Sequence, residues 1–200
     1  MTSTGAPPSL DRREAVRALL ARRGELLVVT GLGAPTWDVA AAGDHRFNFY
    51  LWGAMGSAVT VALGLALAQP RRRVLAITGD GEMLMGLGGL ATAGVQRPAN
   101  LVVAVLDNER YGETGMQTTH TAHGVDLCAI AGGAGFSVAR EVRAAAELPG
   151  LRDIVHEVTG PAFIQIKIAA GKIPLVLPPR DGAFLRDRFR AAVLGEAAQR

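Results

Sequence analysis

Two hundred residues, 49% hydrophobic and only 5% aromatic, suffice for one well-filled core and not comfortably for two. Net charge is +3, and all but Lys167 and Lys172 of the 21 basic residues are arginine, scattered among acids without interleaved aromatics; this disfavours nucleic-acid binding and leaves mild steering of an anionic ligand, with Arg71-Arg72-Arg73 the densest cluster. Cys128 is the only cysteine, which excludes an intrachain disulfide or a thiolate metal cluster and fits a reducing, cytoplasmic setting.

Residues 1–10 read as a disordered leader, lacking the basic and apolar regions of a signal peptide. Residues 11–170 form one domain, followed by a tail and helix over 171–200. Ser9 or Asp11 can cap a helix over 12–22, with Ala15, Leu19 and Leu20 inward. The first strand, 25–30, runs into Gly31-Leu32-Gly33-Ala34-Pro35 and a short helix over 36–42. GLGAPT is half of a dinucleotide fingerprint; the third glycine and the distal acidic residue are absent, which disfavours a Rossmann cofactor.

Residues 47–51 form a short strand, and Trp52-Gly53-Ala54-Met55-Gly56 opens a long apolar helix. The stretch 47–70 is uncharged over 24 residues and three arginines follow it, as in a membrane span. Asn48, Ser57, Thr60 and Gln69 interrupt it, however. A strand entering a buried helix fits better, with no membrane partner.

Residues 74–78 and 101–106 are apolar throughout, like parallel strands buried on both faces, and 82–95 between them has helical length. The crossover of such a βαβ unit is right-handed, so both strands point the same way. Gly79-Asp80-Gly81 and Asp107-Asn108-Glu109 then share the sheet edge where ligands of open α/β sheets collect. One carboxylate, one amide and the free carbonyls of a turn suit Mg²⁺, with phosphate and water completing its shell. Gly79 and Gly81 let backbone approach a pyrophosphate, and the helix opening near Glu82 offers it unpaired N–H groups. Either feature alone reads equally as a turn, with Asp as an N-cap and Asn in a left-handed conformation. Together, at this spacing, they point to a metal–diphosphate site.

Residues 109–123 lack apolar periodicity and form a polar loop able to close over a ligand. Gln117, Thr118 and His120 are its substrate-side candidates, His120 as either a proton donor or a solvated bystander. There follow a helix over 125–134 capped near Asp126, a strand over 136–139, and a helix over 144–158 interrupted at Pro149-Gly150. An alternating, edge-side strand over 162–168 comes next, then a proline-containing tail and a charged helix over 183–194 that can lie against a partner. The whole reads as an α/β fold: a single doubly wound, mainly parallel six-stranded sheet with helices on both faces.

GDG, a gap of 26 residues, an asparagine and a tyrosine-containing turn resemble the diphosphate-and-magnesium motif of thiamine-diphosphate-dependent enzymes. The resemblance covers Thr30 to Ile168 and implies thiamine diphosphate and Mg²⁺ as cofactors. It makes Asp80, the Asn108 side chain and the Arg110 carbonyl the metal ligands. Gly79, Asp80, Gly81, Glu82, Asn108, Arg110, Tyr111 and Gly112 become cofactor-binding residues, as do Gly31, Leu32 and Gly33, where a ligand-free glycine turn is the alternative. Met55, in a similar Gly-x-aliphatic-Gly segment, would wedge between the two rings of the cofactor, and the Gly53 carbonyl would accept a hydrogen bond from its aminopyrimidine. The family often carries two asparagines in the turn, and here the first is Asp107.

Such enzymes also need a pyrimidine-binding half with an activating glutamate. Glu82, Glu109 and Glu113 all sit at the diphosphate end, and no second α/β half is present. The resemblance therefore implies a hetero-oligomer with a pyrimidine-domain (alpha) subunit that carries this glutamate. YGETGMQ and the chain length are most similar to the beta subunit of sulfopyruvate decarboxylase, and the C-terminal part of phosphonopyruvate decarboxylases is similar too. Decarboxylation of a small anionic 2-oxo acid to an aldehyde is the implied activity. The alternatives are a subunit of a 2-oxo acid oxidoreductase or acetohydroxyacid synthase-like enzyme, and a non-catalytic module that keeps the fold.

Overall fold

The computed structural model describes residues 9–199, so residues 1–8 of the expected leader lie outside it. Leu10, which the sequence assigns to that leader, is instead buried and bridges Ile168 in parallel. Asp11 accepts a hydrogen bond from Glu14 N at 2.8 Å and caps α1 (Arg12–Leu19), which turns Ala15, Val16 and Leu19 inward. The chain continues through β1 (Leu27–Thr30), α2 (Ala34–Ala41), β2 (Asn48–Tyr50), α3 (Ala58–Ala68), β3 (Val74–Gly79), α4 (Asp80–Met85), α5 (Gly88–Gln96) and β4 (Leu101–Asp107). A small antiparallel hairpin, β5 (Arg110–Tyr111) and β6 (Gln117–Thr118), interrupts what the sequence shows only as a polar loop. Then come α6 (Leu127–Gly133), β7 (Val138–Val142), α7 (Leu151–Glu157), β8 (Ala162–Lys167) and α8 (Gly182–Leu194).

Six strands form one parallel sheet in the order β2-β1-β3-β4-β8-β7. Alternate residues of each strand feed opposite layers, as the pleat requires. Val28, Leu75, Ile77, Val102 and Ile164 pack against Val16 and Leu19 of α1 and Val155 of α7. Val29, Ala76, Val103 and Phe163 pack against Leu63 of α3, Leu90 of α5 and Leu127 of α6. From β1 the chain moves outward to β2, and from β3 it moves the other way to β4. The carboxyl ends of β1 and β3 therefore flank the switch point at which such sheets bind ligands. Among the described residues no helix is long and apolar enough to cross a membrane.

Several expectations change. The strand over 162–168 is interior, between β4 and β7, and buried along its length. Its alternation misleads because Gln165 and Lys167 are buried polar residues with partners on β4. The single helix over 82–95 is two, broken where Gly86 presses on Gly56: a Cβ at Gly86 would lie 2.0 Å from the Gly56 carbonyl oxygen. The strand expected over 136–139 forms at Val138–Val142 and makes one edge of the sheet. The last helix lies on this chain's own β2, with Leu185 buried and the Phe49 and Phe189 ring centroids 5.3 Å apart.

Two of the three clustered arginines, Arg72 and Arg73, are structural. Arg73 donates to the carbonyls of Val155 and Val158 at 2.8 and 2.7 Å, and Arg72 stacks 4.2 Å over the Phe47 ring. Both sit at the amino end of β3, opposite the switch point, so they do not line the site.

Candidate functional site

Strands β3 and β4 pair Gly79 with Leu106, so Asp80 and Asn108 leave adjacent strand tips. Both line a cavity of about 390 Å³, within the roughly 300–1,000 Å³ typical of small-molecule sites. Asp80 is 2% exposed, and its Oδ2 accepts hydrogen bonds from Thr119 Oγ1 at 2.5 Å and Thr121 Oγ1 at 3.4 Å. Burial, and then the neighbouring Asp107 carboxylate, push its pKa up to about 7. Two side-chain-to-backbone bonds build the turn after β4. Asp107 Oδ1 accepts from Glu109 N and Asn108 Oδ1 from Arg110 N, each at 3.0 Å, with Glu109 left-handed at φ +60°.

Glu82 ties three strand ends together. Its carboxylate accepts from Leu32 N at 3.0 Å, Thr78 Oγ1 at 2.8 Å and Gly56 N at 3.3 Å. Burial raises its pKa above the ordinary carboxylate value, against these bonds. A Cβ at Gly31 would lie 1.7 Å from Glu82 Oε2, so that glycine makes room for the carboxylate.

Of the residues singled out in the sequence, Leu32, Met55, Gly79, Asp80, Gly81, Glu82, Asn108, Arg110, Tyr111 and Gly112 line the one cavity. Gly79 is open on its Cβ side, whereas the Tyr111 ring covers Gly81, where a Cβ would lie 2.5 Å from it. Met55 is 41% exposed at the cavity wall. Gly31 sits behind Glu82, Gly33 begins α2 at φ +75°, and Gly53 is exposed; none of the three lines the cavity. His120 is exposed in a 3₁₀ turn over His120–His123 and does not line it, nor do the exposed Gln117 and Thr118.

Among the described residues no three His, Cys, Asp or Glu side chains cluster as a metal site. The donors at the strand tips are instead one carboxylate, one amide oxygen and the carbonyls of a turn. That hard-oxygen set fits Mg²⁺ when a phosphate and water supply the rest. Asp80 fits it too: it is a buried carboxylate whose side-chain partners are hydroxyls, with no ion pair to it among the described residues.

Residues 33–166 match the family model for the thiamine pyrophosphate enzyme, C-terminal TPP binding domain. This chain belongs to the thiamine pyrophosphate enzymes. Sulfopyruvate decarboxylase subunit beta of Methanothermobacter thermautotrophicus is 37% identical over 186 residues, which is 93% of this chain and 97% of that one. Phosphonopyruvate decarboxylase of Streptomyces viridochromogenes is 38% identical over 96% of this chain and 47% of its own length, so the chain spans about half of that relative. A crystal structure from Mycobacterium smegmatis, assigned as a thiamin diphosphate-dependent enzyme, shares the fold with a TM-score of 0.68. It is 24% identical and is covered over 32% of its length, against 83% of this chain.

Within this thiamine pyrophosphate enzyme, the supporting residues that sequence reasoning missed are Thr119, Thr121, Gln165 and Lys167. Thr121 Oγ1 donates to Asp107 Oδ1 at 2.8 Å, Gln165 Nε2 to Asp107 Oδ2 at 2.6 Å, and Lys167 Nζ to Glu109 Oε1 at 2.7 Å. One signal was present: Gln165 and Lys167, two apart in an otherwise apolar strand, point to one face of the sheet.

Proposed function

We propose that this chain is the thiamine diphosphate- and Mg²⁺-binding subunit of a non-oxidative 2-oxo acid decarboxylase. A partner subunit would complete it, with a pyrimidine-binding domain that carries the activating glutamate. The observation that carries this reading is the placement of Asp80 and Asn108 on neighbouring strand tips over one cavity. The match to a sulfopyruvate decarboxylase beta subunit along 97% of that subunit supports it.

In this reading Asp80, the Asn108 amide oxygen and the Arg110 carbonyl hold Mg²⁺, and open space beside Gly79 admits the diphosphate. Glu82 fixes the turns that carry Leu32 and Gly56, and so sets the wall on which Met55 would support the cofactor. The Gly53 carbonyl, which lies outside the cavity lining, would serve as acceptor for the aminopyrimidine if the cofactor extends past Met55 toward the partner subunit. When bound, thiamine diphosphate supplies the nucleophilic carbon and the electron sink for breaking the bond between the carboxylate and keto carbons. Carbon dioxide leaves, a proton takes its place, and an aldehyde is released.

The test is to purify the chain with its partner and measure carbon dioxide release from sulfopyruvate, phosphonopyruvate and pyruvate with thiamine diphosphate and Mg²⁺ present. Release that needs both subunits is expected. Full turnover by this chain alone, or none by the complex, would contradict the proposal.

A further inference from the structure

The cavity has a second charged wall, on the side of α1. Arg12, the first residue of that helix, lines it with a side chain only 10% exposed, and its Nε lies 2.9 Å from Asp38 Oδ2. Asp38 is fully buried on α2 and is shared with Arg13, whose Nε lies 3.5 Å from Oδ1. Arg13 also donates to the Pro174 carbonyl and so pins the segment that follows β8. Lys172 and Ile173 of that segment line the same cavity.

One carboxylate therefore faces two guanidinium groups, and Lys172 adds a further cation. Glu113 lines the cavity too, beside Gly33 at the start of α2, so what this side offers an anion is the placement of Arg12 and Lys172 rather than an excess of positive charge over the whole lining. Asp38 holds Arg12 by charge, its Oδ2 2.9 Å from Nε without an aligned hydrogen bond, and the terminal nitrogens of Arg12 form no hydrogen bond with any described residue. A planar fork of free N–H groups on a braced guanidinium matches the oxygens of a tetrahedral oxoanion better than a flexible ammonium does.

A diphosphate held through a divalent cation at Asp80 and Asn108 does not require this wall. A 2-oxo acid with a second anionic group can use it, because that group gives the wall a charge to bind that pyruvate lacks. Resting on the decarboxylase reading, we infer that Arg12, braced by Asp38 and assisted by Lys172, binds the distal sulfonate or phosphonate of the substrate and selects such acids over pyruvate.

The experiment uses the complex with its partner, loaded with thiamine diphosphate and Mg²⁺. Methanesulfonate and methylphosphonate are titrated into it calorimetrically, and sulfopyruvate, phosphonopyruvate and pyruvate are assayed in parallel. The oxoanion that binds more tightly tells the sulfonate class from the phosphonate class. Arg12→Gln should weaken that oxoanion, and raise KM for the matching acid, on the order of tenfold to a hundredfold, with kcat within about twofold and pyruvate unaffected. Arg12→Lys should restore part of the loss. Lys172→Met, on an exposed segment where misfolding is not at issue, should shift the same KM in the same direction by less.

An equal rise in KM for all three acids would overturn the inference. So would a loss of thiamine diphosphate affinity with oxoanion binding intact, which would move Arg12 to the cofactor's own phosphates. A wild-type complex that binds the oxoanion through Arg12 yet decarboxylates none of the three acids would support the oxoanion site and sink the decarboxylase reading instead.

Discussion

Lys167 Nζ lies 2.8 Å from Asp107 Oδ2, with the two side chains 4% and 0% exposed, directly across the β4–β8 register. Burial works against the ammonium, yet its bonds to Asp107 and Glu109 outweigh burial and hold its pKa above the ordinary 10.5. This pair is what permits a charged Asp at a turn position where the resemblance leads one to expect Asn. Lys167→Met should leave Asp107 buried without a countercharge and cost about 3–5 kcal/mol in urea denaturation. The double variant Asp107→Asn/Lys167→Met should recover most of that. A double variant no more stable than the single one would show that the pairing is not what matters.

The pH dependence of Asp80 has a definite sign. Its pKa in the folded chain, about 7, stands above the ordinary 3.8, so protonation favours the folded state. That contribution is fully present below pH 3.8 and is lost as the pH rises through about 7. A cation bound by Asp80 offsets the loss only where the carboxylate is ionised. Mg²⁺ should therefore raise Tm more at pH 8 than at pH 6. Melting curves with and without Mg²⁺ at the two pH values check this, and equal shifts would speak against Asp80 as a ligand.

Glu82 acts purely as an acceptor, with three donors aimed at it. In Glu82→Gln one oxygen becomes an NH₂ group that confronts an N–H or hydroxyl donor. A loss of about 1–3 kcal/mol is expected, since a buried donor is left unsatisfied. Hydrogen exchange at the Leu32 and Gly56 amides should quicken relative to that at Val103 in the core. Unchanged exchange at both amides would mean that Glu82 does not hold these turns.

Much of this was legible in the chain itself, for physical reasons. Val74–Gly79 and Leu101–Asp107 are buried on both faces, so their apolar runs announce parallel strands, and the direction of the crossover then brings Asp80 and Asn108 to one edge. What escaped depends on contacts distant in sequence. Ala162–Lys167 alternates like a half-exposed edge, because nothing local reveals that Gln165 and Lys167 meet Asp107 some 58 residues earlier in the case of Gln165. The hairpin between Arg110 and Thr118 is too short to show a period. Thr119 and Thr121 sit in a run of polar residues, and only the fold selects them as partners of Asp80. The pattern of GDG suggests that Gly81 admits a pyrophosphate, whereas its close neighbour is the Tyr111 ring.

The most direct measurement is the affinity of the partnered complex for thiamine diphosphate, titrated with and without Mg²⁺, for the wild type and for Asp80→Asn. The asparagine is close in shape and removes a costly buried charge, so the variant should fold. Wild-type binding should depend on Mg²⁺, and Asp80→Asn should weaken it by at least about tenfold, as losing a charged ligand to a hard cation requires. Equal affinity in wild type and variant, with or without Mg²⁺, would contradict the account.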